Sequence, residues 1–172
     1  MRSPAPLRTL LTLSTLLLSA GSSHANDTCL LPASSLDQHT ALQALQLHDR
    51  FAADPSLLPK LKMLLSEDFR IVQHSDGDPP ATVMSMDRQA YLDNAKLAAA
   101  FSTGIQAKRE HVSAQASDTG LQLRFIETDT GTVMGLPMHI VSRNRSDFAL
   151  QDGCITITAW QFTELSNDEP AE

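Results

Sequence analysis

His48 is the residue whose placement most invites chemistry. It shares helical spacing with Ala41, Ala44, Leu45 and Ala52, so it faces the same way as an apolar stripe. A neutral imidazole at the edge of an apolar space can take up a proton, because its unperturbed pKa lies near 6.5. The same position also suits a core-edge histidine bonded to a backbone carbonyl. Asp49, one place on, is expected to point elsewhere. His74 closes a short alternating stretch beside Ser75-Asp76, either as a base at a pocket mouth or as a solvated loop residue. Glu127 extends the face of Leu121, Leu123 and Phe125, and Asp129 follows on the same face. Buried in that row, a carboxyl would hold a raised pKa and act as acid or base; at a strand end in water it would not. The catalytic candidates are thus His48, His74 and Glu127.

Four residues form the candidate ligand-binding set: His48, Tyr91, Met138 and Trp160. Tyr91 and Trp160 carry a hydroxyl and an indole N–H on apolar bodies, and Met138 belongs to a group of methionines suited to an adaptable wall. Ordinary core packing would use the same residues. His111 and His139 read as strand residues facing away from Val112 and Ile140, with no close-spaced partner, so no metal site is expected. No cofactor is expected either. The Gly131-Thr132-Val133-Met134-Gly135 stretch lies between strands instead of opening a helix, and no Gly-x-Ser-x-Gly elbow occurs. Asn26 and Asn144 fit the glycosylation pattern.

These residues need elements to hold them. Ser35 to Gln38 looks like a capping box, and apolar spacing predicts a helix over about 35–53. Asp54-Pro55 restarts the chain, and a second helix is predicted over about 55–66. Asp68 to His74 reads as a strand, the Ser75 to Pro80 stretch as a loop. A third helix is expected from near Ser85 to a C-cap at Gly104, carrying Ala90, Tyr91, Ala95, Ala98 and Phe101. Strands follow from His111, from Leu121, from Leu136 after a turn near Gly131, and on both sides of Asp152-Gly153. The order, α-α-β-α-β-β-β-β, is an α+β layout: three N-terminal helices packed on one face of a curved antiparallel sheet.

The chain has 172 residues, and a formal charge of −7 from 13 basic and 20 acidic side chains. That balance argues against a nucleic-acid partner, which demands a basic face. Residues 1–25 carry Arg2 and Arg8, an apolar run from Leu10 to Ala20, and Ser23-His24-Ala25, the order of a secretory signal peptide. The run is too short to span a bilayer, and no later stretch is long enough. The polar residues before Cys29 exclude a lipidated cysteine at the cut. The expectation is an exported chain, periplasmic or extracellular, with a single domain over 26–165 and a frayed acidic tail over 166–172. In an oxidising compartment Cys29 and Cys154, the only cysteines, are most simply a disulfide.

Several strings in this order resemble the nuclear transport factor 2-like superfamily, which includes ketosteroid isomerases and polyketide cyclases. Ser66-Glu67-Asp68-Phe69 resembles its entry into the first strand, and Met86 to Leu92 the start of its third helix. Phe148 to Ile155, with Trp160 and Phe162 beyond, is similar to its penultimate hairpin and last strand. The resemblance covers about 36–164 and implies a cone-shaped domain with a pocket between helices and concave sheet. It also implies a homodimer through the sheet's outer face. The isomerase residues are not matched. Gln73 or His74 stands where the base is expected, Asp147 is displaced from the second acid, and Tyr91 lies on the third helix, not the first. Three functions remain: a module that binds a small apolar or amphipathic molecule; an isomerase, cyclase or hydratase using His48, His74 or Glu127 as base; or an interaction domain using the outer sheet face.

Overall fold

The computed structural model describes residues 29–118 and 120–165. The expected leader over 1–25, Asn26 and the tail over 166–172 lie outside them. Helix α1 (Gln38–Ala52) begins at Asp37, whose carboxylate accepts from the Thr40 N–H while Thr40 Oγ1 accepts from the Asp37 N–H. The capping box is therefore Asp37 with Thr40, not Ser35 with Gln38. Its inner stripe is Ala41, Ala44, Leu45, His48 and Phe51, all buried. Asp54 caps a single 3-10 turn at Pro55–Leu57 that leads into α2 (Leu58–Leu64). Leu61 and Leu64 are fully buried there, each contributing roughly 2 kcal/mol of apolar transfer.

Strand β1 (Leu65–His74) is followed by a strand that sequence periodicity does not resolve, β2 (Thr82–Asp87). The expected helix start near Ser85 is thus the end of β2, and α3 (Arg88–Phe101) begins only after Asp87 accepts from the Ala90 N–H. Its inward residues are Tyr91, Leu92 and Ala95; Ala90 and Phe101 are exposed. Gly104 is no C-cap. The helix ends at Phe101, and β3 (Ser102–Ser117) starts at once, well before His111. Then come β4 (Gly120–Val133), β5 (Leu136–Gln151) and β6 (Cys154–Glu164).

The sheet has six strands in the order β2-β1-β6-β5-β4-β3. All neighbours are antiparallel except β1 and β6, which run parallel. The layout is α+β as expected, with one more strand. The β4–β5 and β5–β6 turns each put their two central residues at positive φ: Met134 (52°) and Gly135 (81°) in the first, Asp152 (52°) and Gly153 (75°) in the second. The β4–β5 turn is therefore at Met134-Gly135, not Gly131, which lies inside β4. Gly131 is needed for another reason: a Cβ there would press on the backbone of Ile105 in β3. The three helices cover one face of the sheet, and a core runs from Leu45 and Leu61 to Phe69, Leu123, Phe148 and Ile157.

Cys29 and Cys154 are disulfide-bonded. The bond fixes the segment before α1 onto the β5–β6 hairpin, where Ala33 N–H donates to Gly153 O and Ile155 N–H to Leu31 O. Among the described residues, no helix is long and apolar enough to cross a membrane.

Candidate functional site

The inner faces of β4 and β5 change character along their length. On β4 the inward residues run Leu123, Phe125, Glu127, Asp129, Gly131, Val133; on β5, Ser146, Asn144, Ser142, Ile140, Met138. Apolar side chains fill the closed end of the cone. Polar ones occupy its middle, and apolar ones return towards the β4–β5 turn. The helices do not fill the space above the middle and outer rows, because α3 presents Ala95, Ala98 and Ala99 there. The result is a cavity of about 490 Å³ lined by residues of α1, α3 and all strands except β2.

One wall of this cavity is a connected polar cluster. His48 is 6% exposed. Its Nδ1 lies 3.2 Å from Asp49 Oδ1 and its Nε2 2.6 Å from the Tyr91 hydroxyl. The imidazole also packs on Trp160, with ring centroids 4.7 Å apart. Asp49 accepts a bidentate pair from Arg109, at 2.8 and 2.9 Å. Arg109 Nη2 also reaches Glu127 Oε2 at 2.6 Å, across the directly opposed β3–β4 pair. Beside this chain, Trp160 Nε1 donates to Asn144 Oδ1, and Asn144 Nδ2 donates to Ser142 Oγ, both at 2.8 Å.

The electrostatics follow from burial. Desolvation pushes Glu127 up to about 7, with Asp129 and Asp49 adding to the rise and Arg109 opposing it. Burial raises Asp129 as well. Asp49 is held below the usual carboxylate range: burial opposes this, but its bonds to His48 and Arg109 prevail. Burial and the neighbouring carboxylates keep Tyr91 a neutral phenol. The cluster thus offers an imidazole fixed between a carboxylate and a phenol, and a carboxyl poised near neutrality, all facing an apolar space.

Of the sequence candidates, His48, Tyr91, Met138, Trp160 and Glu127 all line this one cavity. Glu127 is 6% exposed and so is not at a solvated strand end. His74 is half-buried at the end of β1, away from the cavity. Asp49 corrects the expectation that it points elsewhere. Adjacent helical side chains diverge at Cβ, but a short carboxylate can still reach across to the imidazole beside it. Arg109 was not singled out by sequence, since a lone arginine in a polar stretch ordinarily reads as surface. Asn144, buried and bonded to Trp160, cannot accept a glycan. His111 and His139 are exposed. Among the described residues no group of three or more His, Cys, Asp or Glu side chains could hold a metal ion.

No protein-family model matches the chain, and no curated protein matches it by sequence. Its fold, however, is shared with solved structures. The β subunit of benzoate 1,2-dioxygenase from Burkholderia mallei superposes with a TM-score of 0.63 at 14% identity, covering 80% of this chain and 96% of that one. A nuclear transport factor 2-like protein of unknown function in nutrient uptake, from Rhodospirillum rubrum, gives 0.57 at 14% identity over 76% of this chain and 100% of that one. Another nuclear transport factor 2-like protein, from Cytophaga hutchinsonii, gives 0.57 at 11% identity over 76% and 100%. The mixed sheet wrapped around a cavity beneath three helices is the nuclear transport factor 2-like fold, and this chain has it.

Proposed function

We propose that this chain binds a small, largely apolar molecule carrying one polar group. The observation that carries the reading is the cavity: about 490 Å³, walled by Ile, Val, Met and Ala side chains, with its polar groups gathered in one band. His48, Tyr91, Met138 and Trp160 are its proposed contacts. Native mass spectrometry of the chain, purified from the compartment to which it is exported, tests this. A small molecule retained by the wild type and released by His48→Ala or Tyr91→Ala supports binding; a chain that holds nothing from its own compartment counts against it.

A second reading is favoured by Glu127, whose carboxyl, raised by burial to about 7, lines the same cavity as His48. Here the chain is an isomerase, cyclase or hydratase with Glu127 or His48 as base. Conversion of the retained molecule on incubation, lost in Glu127→Gln while binding persists, would separate this from simple binding. His74, away from the cavity, is the weakest of the base candidates.

We further propose export through cleavage of the leader after Ala25, which the Cys29–Cys154 bond supports because such bonds persist in oxidising compartments. The exported chain would begin at Asn26, which N-terminal sequencing reads directly. It would span 26–165 as one domain. A homodimer through the outer sheet face would bury Ile126 and Val141 beside Arg124 and Arg143, and native mass reports it. Trp160 and Ile157 would take no part, since both are buried on the inner side.

A further inference from the structure

The polar band of the cavity holds more carboxylate than its cation can balance. Arg109 gives two of its N–H groups to Asp49 and reaches Glu127 only through Nη2 and Oε2. Asp129, half-buried on the same face of β4, has no salt-bridge or hydrogen-bond partner among the described residues. Glu127 is nine-tenths buried and makes no side-chain hydrogen bond beyond that single ionic contact among the described residues. His48 is already held between Asp49 and Tyr91. Two carboxyls therefore face an apolar space with one shared fraction of an arginine. A buried carboxylate without a counter-charge is costly, and the cost is removed either by a proton or by an incoming cation.

The surroundings select the kind of cation. A metal ion would require several converging donors, which the described residues do not offer. The apolar parts of Trp160 and Tyr91 and the methyls of Ala95, Ala98, Ile105 and Met138 also line the cavity and offer nothing to a hydrated ion. They suit an organic cation with an apolar body. The order of rows along β4 and β5 gives the orientation: charged head at Glu127 and Asp129, apolar body towards Val133 and Met138. The rim beyond is apolar too. Phe101, Met134 and Leu136 are 56%, 76% and 71% exposed around the turn, and Met134 N–H is tied to Phe101 O at 2.8 Å.

We propose that the ligand of this cavity is an amine-bearing amphiphile, its ammonium seated between Glu127 and Asp129 and its apolar part directed to the Phe101–Met134–Leu136 rim. This rests on the ligand-binding reading above and adds the ligand's charge and orientation to it.

The chain has a single tryptophan, Trp160, and it lines the cavity, so its fluorescence reports occupancy. The probes are n-octylamine, n-octanol and n-octanoate, titrated separately into the full chain. Octylamine should saturate the Trp160 signal roughly tenfold more tightly than octanol, the gain of a charge-assisted over a neutral hydrogen bond, and octanoate should be weakest. Glu127→Gln with Asp129→Asn, nearly isosteric changes, should abolish the preference for the amine over octanol. Octanol or octanoate binding as tightly as the amine, or a preference that survives the double substitution, overturns the cationic ligand but leaves the pocket intact. No response to any probe overturns both the ligand class and the binding reading. Saturation by magnesium or zinc chloride alone, at the same sites by the double variant, overturns the organic cation in favour of a metal.

Discussion

Glu127 is the residue whose environment has the clearest thermodynamic consequence. Its folded carboxyl keeps a proton up to about 7, whereas an ordinary glutamate releases it near 4.5. Between those values the folded state binds more protons than the unfolded one, so stability falls as pH rises through that window. Asp129, also raised, adds to the fall. Asp49, lowered, contributes an opposite slope only at more acid pH. Glu127→Gln should therefore be the more stable protein at pH 8, by roughly 1–3 kcal/mol, and the gain should fade towards pH 4.5. Denaturant melts of both proteins across that range check it; parallel pH profiles would refute the buried titration. Arg109 gives the complementary case. Arg109→Met leaves Asp49 and Glu127 facing each other without their cation, and should cost about 3 kcal/mol. Adding Asp49→Asn should recover much of that loss, a coupling visible in a double-mutant cycle. A loss unchanged by the second substitution would mean that Arg109 acts through packing on Phe125, whose ring centroid lies 5.5 Å from its guanidinium. His48 and Glu127 were legible in the sequence because each continues an apolar row. Arg109 was not, because only the β3–β4 register makes it face inward.

At the scale of elements, legibility follows burial. The buried stripes of α1 and α2 and the alternation of β4 repeat strongly enough to place them within a few residues. β2 was missed because it is an edge strand whose residues are exposed or half-exposed, so neither face carries a core pattern. The first half of β3 is not legible for a related reason: Ser102 to Glu110 lines the cavity on one side and faces water on the other. Its inward residues Ile105, Ala107 and Arg109 are chosen for lining a space, not for filling one. Gly104 then reads as a helix stop, when it is a positive-φ residue inside the strand (63°). Gly131 belongs to the same region. Gly131→Ala would push β4 off the Ile105 backbone and force positive φ on an L-residue, so it should cost about 1–3 kcal/mol. Because Ile105 lines the cavity mouth, the same substitution should weaken octanol binding. Stability and binding both unchanged would show that the strands can separate there without consequence.

In the whole molecule, the disulfide and the cavity lie at opposite ends of β5. The cavity-lining residues of β5 run from Met138 to Asn144, in its first half, whereas the disulfide joins the chain at Cys154, beyond the far end of β5. The bond closes a separation of 125 residues, enclosing almost the whole described chain. By loop-closure entropy, such a bond restricts the unfolded state strongly and should contribute about 2–4 kcal/mol. It also keeps Leu30, Leu31 and Ala33 packed against the core. Cys29→Ser with Cys154→Ser should therefore lower the melting temperature markedly, and reductant should lower that of the wild type to match while leaving the variant unmoved. No residue of that segment lines the cavity, so the double variant should still give the wild-type Trp160 response to octylamine below its own melting temperature. A variant that melts like the wild type would remove the bond's role in stability. One that is folded but no longer responds would show that the closed end of the cone and its mouth are coupled through the sheet.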